Sequence, residues 1–174
     1  MTFARPRPIV ATDEVAQFEC GERTLDNWLN LRAIKNEADG NSRTFVSIER
    51  ESGLIAGYYC LSSNSLARDM APGSLRRNAP DPIPTILIGR LAVDHRFQGM
   101  GVGASLLQNA LMKGIEAAEI IGSRAFLVDA LNESATTFYS RFGFESLPGS
   151  ERLMYMRMKD VFETVHVVAA TVGS

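Results

Sequence analysis

Residues 91–103 read Leu91-Ala92-Val93-Asp94-His95-Arg96-Phe97-Gln98-Gly99-Met100-Gly101-Val102-Gly103. The apolar, β-branched run from Thr85 to Val93 predicts a buried strand that leads into the three glycines. Beyond them, apolar residues recur at helical spacing as far as Ile115. A glycine-rich turn between a strand and a helix presents free backbone N–H groups at the positive end of the helix dipole. The stretch therefore predicts a binding site for a phosphate group, such as a pyrophosphate.

Two other glycine-rich phosphate motifs do not match this stretch. A P-loop requires Gly-Lys followed by Ser or Thr, whereas Gly103 is followed by Ala104. A dinucleotide-binding fingerprint requires an early strand and, about 20 positions later, an acidic residue at a strand end. Here the glycines lie past the midpoint of the chain, and Glu119, which has that spacing, falls towards the end of the predicted helix. A glycine-rich helix start that binds no ligand is the remaining alternative.

The rest of the chain predicts an alternation of helices and strands around this stretch. The predicted elements are a short strand near Pro8-Ile9-Val10, a helix from its N-cap Thr24 to about Asp39 with Gly40 at its end, a hairpin of Arg43 to Glu49 and Leu54 to Leu61, a proline-rich loop over 72–84, a strand from Ala125 to Ala130, a helix capped by Asn132 and ended by Gly143, and a closing strand from Arg152 to Met158. This order predicts a mixed α/β (α+β) fold with helices on a central mixed sheet. We expect one layered domain over residues 1–160 and a C-terminal tail over 161–174.

Composition and charge exclude several classes of protein. The 174 residues fit one domain, and 45% hydrophobic with 22% charged residues is ordinary for a globular chain. We find neither the apolar length of a membrane span nor a secretory signal, so we expect a cytoplasmic protein. Two cysteines and two histidines provide neither a disulfide framework nor a zinc spacing, and no metal is expected. Because the formal net charge is -2, any contact with nucleic acid requires a local basic patch.

Two motifs together resemble those of the GNAT acetyltransferase superfamily. Gln98, Gly101 and Gly103 form the pattern Gln-x-x-Gly-x-Gly of its acetyl-CoA loop, and residues 132–144 resemble its Asn-x-x-Ala-x-x-Phe-Tyr-x-x-x-Gly-Phe helix. The resemblance implies a GNAT fold and acetyl-CoA as co-substrate. The residues that it implies for acetyl-CoA binding are Leu91, Ala92, Val93, Arg96, Gln98, Gly99, Met100, Gly101, Val102, Gly103, Ala104 and Asn132.

Acetyl transfer to an amine needs a neutral amine, a donor for the developing oxyanion and a proton for the departing thiolate. The resemblance implies that Tyr139 is the general acid and that Asn132 contacts the pantetheine arm. It also implies that a backbone N–H of residues 91–93 holds the thioester carbonyl. The alternative for Tyr139 is a purely structural aromatic on the same helix face as Phe138 and Phe142.

A general base is missing from the position where many members of the superfamily carry a glutamate. Residues 88–93 contain no acid, and Asp94 and Asp129, the nearest candidates, are more simply explained as strand-end or capping residues. A lysine amine has a reference pKa of about 10.4, whereas an α-amine at about 7.7–8.0 is partly neutral at physiological pH. The missing base therefore favours an α-amine as the acceptor, as a hypothesis.

Further segments resemble one GNAT subfamily, the acetyltransferase toxins of type II toxin–antitoxin pairs. These segments are Phe18-Glu19-Cys20-Gly21, Leu25-Asp26-Asn27-Trp28-Leu29, Ser42-Arg43-Thr44-Phe45-Val46, Gly57-Tyr58-Tyr59, residues 76–84 and Gly89-Arg90-Leu91-Ala92-Val93-Asp94. The resemblance implies acetylation of the α-amine on aminoacyl-tRNA, which blocks translation. It also implies a ribbon-helix-helix antitoxin as partner, promoter DNA contacted through the toxin–antitoxin complex, and a homodimer.

Contact with tRNA requires cations near the site. The candidates are Lys35, Arg43, Arg76, Arg77 and Arg90, which as a set would form a basic rim, while Arg96 contacts either tRNA or a CoA phosphate. Each of them would otherwise be a solvated or salt-bridged surface residue. We expect His95 on the loop surface, His166 in the tail and Trp28 in the packing of the first helix.

Two other functions remain open at the level of the sequence. The first is a GNAT enzyme that acetylates a small amine or a peptide N-terminus, which a strand-borne glutamate would favour. The second is a non-catalytic acetyl-CoA-binding or repressor module, against which Tyr139 argues because such a module needs no phenol beside the thioester.

Overall fold

The computed structural model describes residues 1–161, which contain a seven-stranded mixed sheet and five α-helices. The strands are β1 (Arg7–Pro8), β2 (Arg43–Ile48), β3 (Ile55–Leu66), β4 (Ile83–Val93), β5 (Ala125–Asp129), β6 (Glu145–Ser146) and β7 (Leu153–Arg157), and the helices are α1 (Arg23–Leu31), α2 (Ala33–Asp39), α3 (Gly73–Arg76), α4 (Val102–Ile121) and α5 (Glu133–Arg141). The strand order is β1-β2-β3-β4-β5-β7-β6. β4 and β5 are parallel, and the other neighbouring strands are antiparallel. The predicted mixed α/β fold is confirmed.

Helices cover both faces of the sheet. On one face, Leu29 of α1 packs in the same buried cluster as Tyr58 of β3. On the other face, Leu107 of α4 packs in a cluster with Phe126 of β5. A Cβ atom at Gly114 would lie 2.1 Å from the Phe126 ring, so this glycine lets α4 lie directly against the sheet. The result is a sheet buried between two helical layers.

The first helical segment differs from the prediction in two respects. It consists of two helices, α1 and α2, which are separated at Arg32. The predicted cap Thr24 is wrong, because α1 begins at Arg23 after Glu22 and has no side-chain cap. Instead, the carboxylate of Asp26 reaches back to accept a hydrogen bond from the N–H of Cys20, just before the helix. The predicted end at Gly40 is confirmed by its left-handed conformation, with φ of 76°.

The proline-rich segment 72–84 is not a loop throughout. It contains the short helix α3 and the first two residues of β4, including Pro84. The carbonyl of Pro84 accepts a hydrogen bond from the N–H of Arg124, so the peptide groups of Pro84 face the side on which β5 has not yet begun. Because no strand lies opposite the proline nitrogen there, its missing N–H removes no bond from the sheet.

A gap opens in the middle of the sheet, between β4 and β5. Their parallel pairing runs from Thr85–Ala125 to Ile88–Val128 and then ends. Gly89 is an extra residue of β4 at a bulge, after which β4 stays paired with β3 as far as Val93. Bulges bend a strand and end pairing. Residues 90–93 of β4 therefore pair with β3 on one side and face an opening on the β5 side.

The C-terminal tail lies mostly outside the described residues. Val161 is buried in the cluster beneath α4, whereas residues 162–174, which include His166, are not described, and the domain boundary at residue 160 stays a prediction. Among residues 1–161, no helix combines the length and the apolar character that a bilayer-crossing segment requires.

Candidate active site

A cleft of about 1040 Å³ lies where β4 and β5 separate. One wall consists of residues 89–93 of β4 and the segment 97–104, and the other consists of Asp129 with parts of α5. The start of α1 also lines the cleft through Thr24 and Leu25. Eleven of the twelve residues predicted for acetyl-CoA binding line this cleft, and the exception is Arg96. The fold thus brings the two sequence motifs together.

The start of α4 has the geometry of an anion site. Gly99 and Gly101 have φ angles of 79° and 83°, a conformation that favours glycine. The first hydrogen bond of the helix runs from the N–H of Ser105 to Gly101 O at 3.1 Å, and Gly101 caps the helix without a side chain. The N–H groups of residues 102–104 therefore have no partner within the helix. They lie at the positive end of a 20-residue helix and suit a pyrophosphate.

The main chain of β4 also faces the cleft at alternate residues. The N–H of Asp94 donates to Ala56 O of the β3 side at 2.8 Å. Because peptide groups alternate along a strand, Ala92 also directs its N–H towards β3, whereas Leu91 and Val93 direct theirs into the gap. Of the three residues predicted to hold a carbonyl, Leu91 and Val93 are thus oriented for it. Ala92 is not, and its side chain is buried on the α1 side.

The position of Tyr139 is compatible with both interpretations of this residue, the general acid and the packing aromatic. Its ring packs edge-on against Phe138 and Phe144, with centroids 5.3 and 5.4 Å apart. It also lines the cleft, and its hydroxyl makes no hydrogen bond with any of residues 1–161. Burial raises the pKa of Tyr139, so the phenol stays protonated at physiological pH. A protonated hydroxyl without a protein partner is available to donate to a ligand.

The side chains of Gln98 and Asn132 make hydrogen bonds to other residues of the protein. Gln98 donates through Nε2 to Val93 O at 3.0 Å and to Cys20 O at 3.2 Å, which closes the glycine-rich turn. Asn132 accepts from the N–H of Ala135 at 2.9 Å, so its predicted role as N-cap of α5 is confirmed. Its Nδ2 lies 3.4 Å from Oε1 of Glu22, across the cleft. Both residues line the cleft while they also hold its walls in place.

Arg96 lies outside the cleft because an intramolecular partner holds it. Its guanidinium donates to both carboxylate oxygens of Asp94, at 2.9 and 2.8 Å, and to Gln17 O at 2.9 Å. Asp94 is fully buried and caps the turn of residues 95–97. Burial alone would raise the pKa of Asp94, but hydrogen bonds from Arg96 and from the N–H of Glu19 outweigh it and lower that pKa. Asp94 is therefore a structural carboxylate, in agreement with its interpretation from the sequence as a capping residue.

Two arginines of the cleft were not predicted from the sequence, Arg141 at the end of α5 and Arg152 just before β7. Arg152 pairs with Asp129 at 3.2 Å and donates to Ala130 O at 3.2 Å. Asp129, the other candidate base, is thus held in an ion pair at the rim. Among residues 1–161, no three His, Cys, Asp or Glu side chains form a group that would hold a metal ion.

The five cations predicted for tRNA do not form one patch. Arg90 lines the cleft, and its guanidinium lies over the Trp28 ring. Lys35 pairs with Asp39 at 2.9 Å, and Arg43 with Glu37 at 3.6 Å, on the outer surface of α2.

Arg76 and Arg77 lie near the opposite end of β4 from the cleft. They precede β4, whereas the cleft is at the carboxyl end of that strand. The eleven residues of β4 span roughly 35 Å. Of the five predicted cations, Arg90 alone lines the cleft within one copy of the chain, together with Arg141 and Arg152, and the role of the five in tRNA binding stays a prediction.

Comparisons with known proteins identify the family. Residues 41–146 match the family of acetyltransferase (GNAT) domains. Over 158 residues, the chain is 44% identical to a tRNA-acetylating toxin of Mycobacterium tuberculosis (strain ATCC 25618 / H37Rv), which covers 91% of this chain and 94% of the relative.

Solved structures share the fold over nearly the full length. AtaT complexed with acetyl-methionyl-tRNAfMet is 27% identical, with a TM-score of 0.84 over 93% of this chain and 98% of that one. A mutant AtaT toxin bound to the C-terminus of the antitoxin AtaR and acetyl-CoA is 26% identical, with a TM-score of 0.76 over 91% and 95%. The KacTA–DNA complex is 26% identical, with a TM-score of 0.78 over 95% and 99%. The chain belongs to the GNAT acetyltransferases, in the group of the tRNA-acetylating toxins.

Proposed function

We propose that this protein transfers the acetyl group of acetyl-CoA to the α-amine of aminoacyl-tRNA and so acts as a toxin that blocks translation. The observation that carries the proposal is that the anion-binding start of α4 and the phenol of Tyr139 line the same cleft. The 44% identity to a tRNA-acetylating toxin and the likeness to AtaT in complex with acetyl-methionyl-tRNAfMet support the same acceptor.

The described residues fit acetyl-CoA, which supplies an acetyl group activated as a thioester. The N–H groups of residues 102–104 would hold its pyrophosphate, because they are unpaired at the start of a long helix. The peptide groups of Leu91 and Val93 face the gap and would hold its extended arm by main-chain hydrogen bonds. One of these N–H groups would also stabilise negative charge on a carbonyl oxygen.

Tyr139 would act as the general acid. Its hydroxyl has no partner among residues 1–161, and burial raises its pKa, so Oη carries a proton throughout the physiological range. It would give that proton to the departing sulfur, whose reference pKa is about 8.5. The packing of its ring against Phe138 and Phe144 fixes the position of the hydroxyl.

The two acidic residues of the cleft both contact other side chains, which is consistent with an acceptor amine that needs no strong general base. Asp129 is paired with Arg152, and Glu22 contacts Asn132. An α-amine, with a reference pKa of about 7.7–8.0, is partly neutral at physiological pH without a base. The same site would transfer acetyl groups slowly to a lysine side chain, whose amine is almost fully protonated.

The test is transfer of labelled acetyl groups from acetyl-CoA to bulk charged tRNA, with the native chain and with Tyr139→Phe. We expect label on the aminoacyl group with the native chain and loss of most of it with the variant. Label on free small amines or peptide N-termini, with none on charged tRNA, would overturn the choice of acceptor. Binding of acetyl-CoA without transfer to any amine would leave a non-catalytic binding module.

The proposal extends to assembly and location. We expect a homodimer, a ribbon-helix-helix antitoxin as partner, promoter DNA bound through the toxin–antitoxin complex, and a cytoplasmic location. The AtaT complex with the C-terminus of AtaR and the KacTA–DNA complex support the antitoxin and the DNA. Light scattering of the purified chain tests the dimer. Operator-DNA binding by the toxin alone, antitoxin alone and both together tests the repressor complex.

A further inference from the structure

The segment that follows β4 is fastened to residues 17–20, which we call the strap. Glu19 donates its N–H to Asp94 Oδ2 at 3.0 Å, and Glu19 O accepts from the N–H of His95 at 2.8 Å. At either end of the strap, Gln17 O accepts from Arg96 and Cys20 O accepts from Gln98. The strap thus holds this segment along its length, 75 or more residues away in sequence.

Asp94 is the centre of this arrangement. Its side chain is fully buried, and its two oxygens accept four hydrogen bonds. Oδ1 accepts from the N–H and from Nε of Arg96, and Oδ2 accepts from the N–H of Glu19 and from the guanidinium of Arg96. One carboxylate therefore joins the end of β4, the strap and the side chain of Arg96.

Apart from the ring of Phe97, which is buried in the core against Phe3, the glycine-rich turn has few other anchors. Gly99 and Gly101 have no side chains, and a Cβ atom at either position would meet nothing within 4 Å. Between Asp94 and the start of α4, the side-chain hydrogen bonds that reach outside the turn come from His95, Arg96 and Gln98. The direction of the N–H groups of residues 102–104 therefore depends on how firmly the preceding residues are held.

We propose that Asp94 is a positioning residue, which holds residues 95–101 in the conformation that directs the start of α4 at the pyrophosphate of acetyl-CoA. The proposal rests on the proposed function in one respect, namely that acetyl-CoA binds at this turn. Asp94 touches neither the reacting atoms nor the cleft, so its loss weakens binding of the co-substrate and leaves the transfer step intact once that co-substrate is bound.

An asparagine cannot replace this carboxylate. An amide presents one oxygen and one NH₂ group, so in either orientation the NH₂ group meets two of the four donors that Asp94 now accepts. The substitution also leaves the Arg96 charge without its partner. We therefore expect the strap and residues 95–101 to separate in Asp94→Asn.

Asp13→Asn is the matched control. Asp13 also binds an arginine, Arg7, through both oxygens, at 2.9 and 2.7 Å, and accepts a backbone N–H from Val10. It lies outside the cleft and outside the strap. A general loss of stability from breaking a partly buried Arg–Asp pair would appear in both variants, whereas loss of positioning would appear in Asp94→Asn alone.

The experiment measures CoA binding by calorimetry and amide hydrogen exchange of residues 99–104 in the ligand-free chain. For Asp94→Asn we expect CoA affinity to fall about tenfold or more and exchange of these amides to become faster, with kcat at saturating acetyl-CoA within about twofold of native. Asp13→Asn should match the native chain in both measurements. Native-like CoA affinity in Asp94→Asn, or an equal loss in Asp13→Asn, would overturn the proposal.

If Asp94→Asn does not fold, the variant Arg96→Lys tests the same proposal. Lysine keeps the positive charge but cannot bind both oxygens of Asp94 and Gln17 O together. A smaller loss of CoA affinity with faster exchange supports the proposal, and native-like values for both overturn it. Failure of the native chain itself to bind CoA would instead refute the proposed function.

Discussion

The guanidinium of Arg90 lies 4.4 Å from the centre of the Trp28 ring, and Trp28 in turn stacks on Tyr58 with an interplanar angle of 7°. A planar cation is thereby held against a planar ring on the α1 side of the cleft. Trp28 packs as the sequence predicted, and in doing so it also fixes the one predicted tRNA cation that lines the cleft.

We predict that Arg90→Met weakens the use of charged tRNA. The variant removes a cation that we expect to bind a tRNA phosphate. The value of kcat/KM for charged tRNA should therefore fall about tenfold at low salt, and the slope of its logarithm against the logarithm of salt concentration should decrease by about one. The KM for acetyl-CoA should not change. Arg76→Met is the control, since Arg76 lies at the far end of β4. An equal loss in Arg76→Met would show that tRNA contacts that end too.

A second prediction compares two glycines at opposite ends of α4. Gly101 and Gly122 have nearly the same positive φ, 83° and 81°, and a Cβ atom at either would meet nothing within 4 Å. Their ψ angles differ, 4° at Gly101 and 135° at Gly122. Alanine should therefore lower the free energy of unfolding by about 1–2 kcal/mol at Gly101 and by more at Gly122, whose conformation is occupied almost only by glycine. Only Gly101→Ala should raise the KM for acetyl-CoA, because it alters the start of the helix. A similar KM change in Gly122→Ala would attribute the effect to lost stability.

A third prediction separates catalysis from stability with two tyrosines. Tyr139→Phe removes a hydroxyl that has no hydrogen bond with residues 1–161, so the free energy of unfolding should change by less than about 0.5 kcal/mol while kcat falls about 100-fold or more. Tyr59→Phe leaves the buried Oδ1 of Asn109 without its donor and should cost about 1–3 kcal/mol with kcat preserved. Urea unfolding and steady-state rates measure both. A native kcat in Tyr139→Phe would remove its role as acid.

A fourth prediction concerns alkaline pH. Burial raises the pKa of Tyr58, Tyr59 and Tyr139, whereas in the unfolded chain these phenols ionise near their ordinary value of about 10. Above that pH the folded state keeps protons that the unfolded state has lost, so the free energy of unfolding falls as pH rises; below it the contribution is fully present. Each phenol should contribute up to about 1.4 kcal/mol per pH unit.

Urea titrations at several values between pH 8.5 and 11 test this dependence. Cys60 adds to it at a lower pH, because burial raises the pKa of its thiol to about 12. The variant Tyr59→Phe should show a shallower decline above pH 10 than the native chain does. Equal slopes would mean that Tyr59 ionises in the folded protein as readily as in the unfolded one.

Local chemistry made much of the fold predictable. Gly40 and Gly143 end helices in positive-φ conformations, with φ of 76° and 100°, and Asn132 caps α5, because each of these features depends on residues within one turn. The glycine-rich turn was predictable for the same reason. Its position at a strand end, before a helix with an amphipathic pattern, already predicts where an anion would bind.

Features that depend on distant contacts could not be predicted in this way. Arg96 carries a guanidinium group, which is a common phosphate ligand. In the structure this group instead donates to Asp94 and to Gln17 O, and Gln17 is 79 residues away in sequence. Arg152 reaches the cleft because β7 pairs with β5, which no local pattern of residues 150–153 indicates. The separation of β4 from β5 likewise depends on the register in which β4 pairs with β3, which places Gly89 at a bulge.

The end of β4–β5 pairing at Ile88 and Val128 gives this protein an edge strand in the interior of its sheet. Unpaired strand edges are templates on which other chains add and aggregate. A bound co-substrate that occupies this edge would cover the template and, at 100 times its dissociation constant, stabilise the fold by about 2.7 kcal/mol. The supply of acetyl-CoA would then govern how long each molecule survives proteolysis in addition to how fast it turns over.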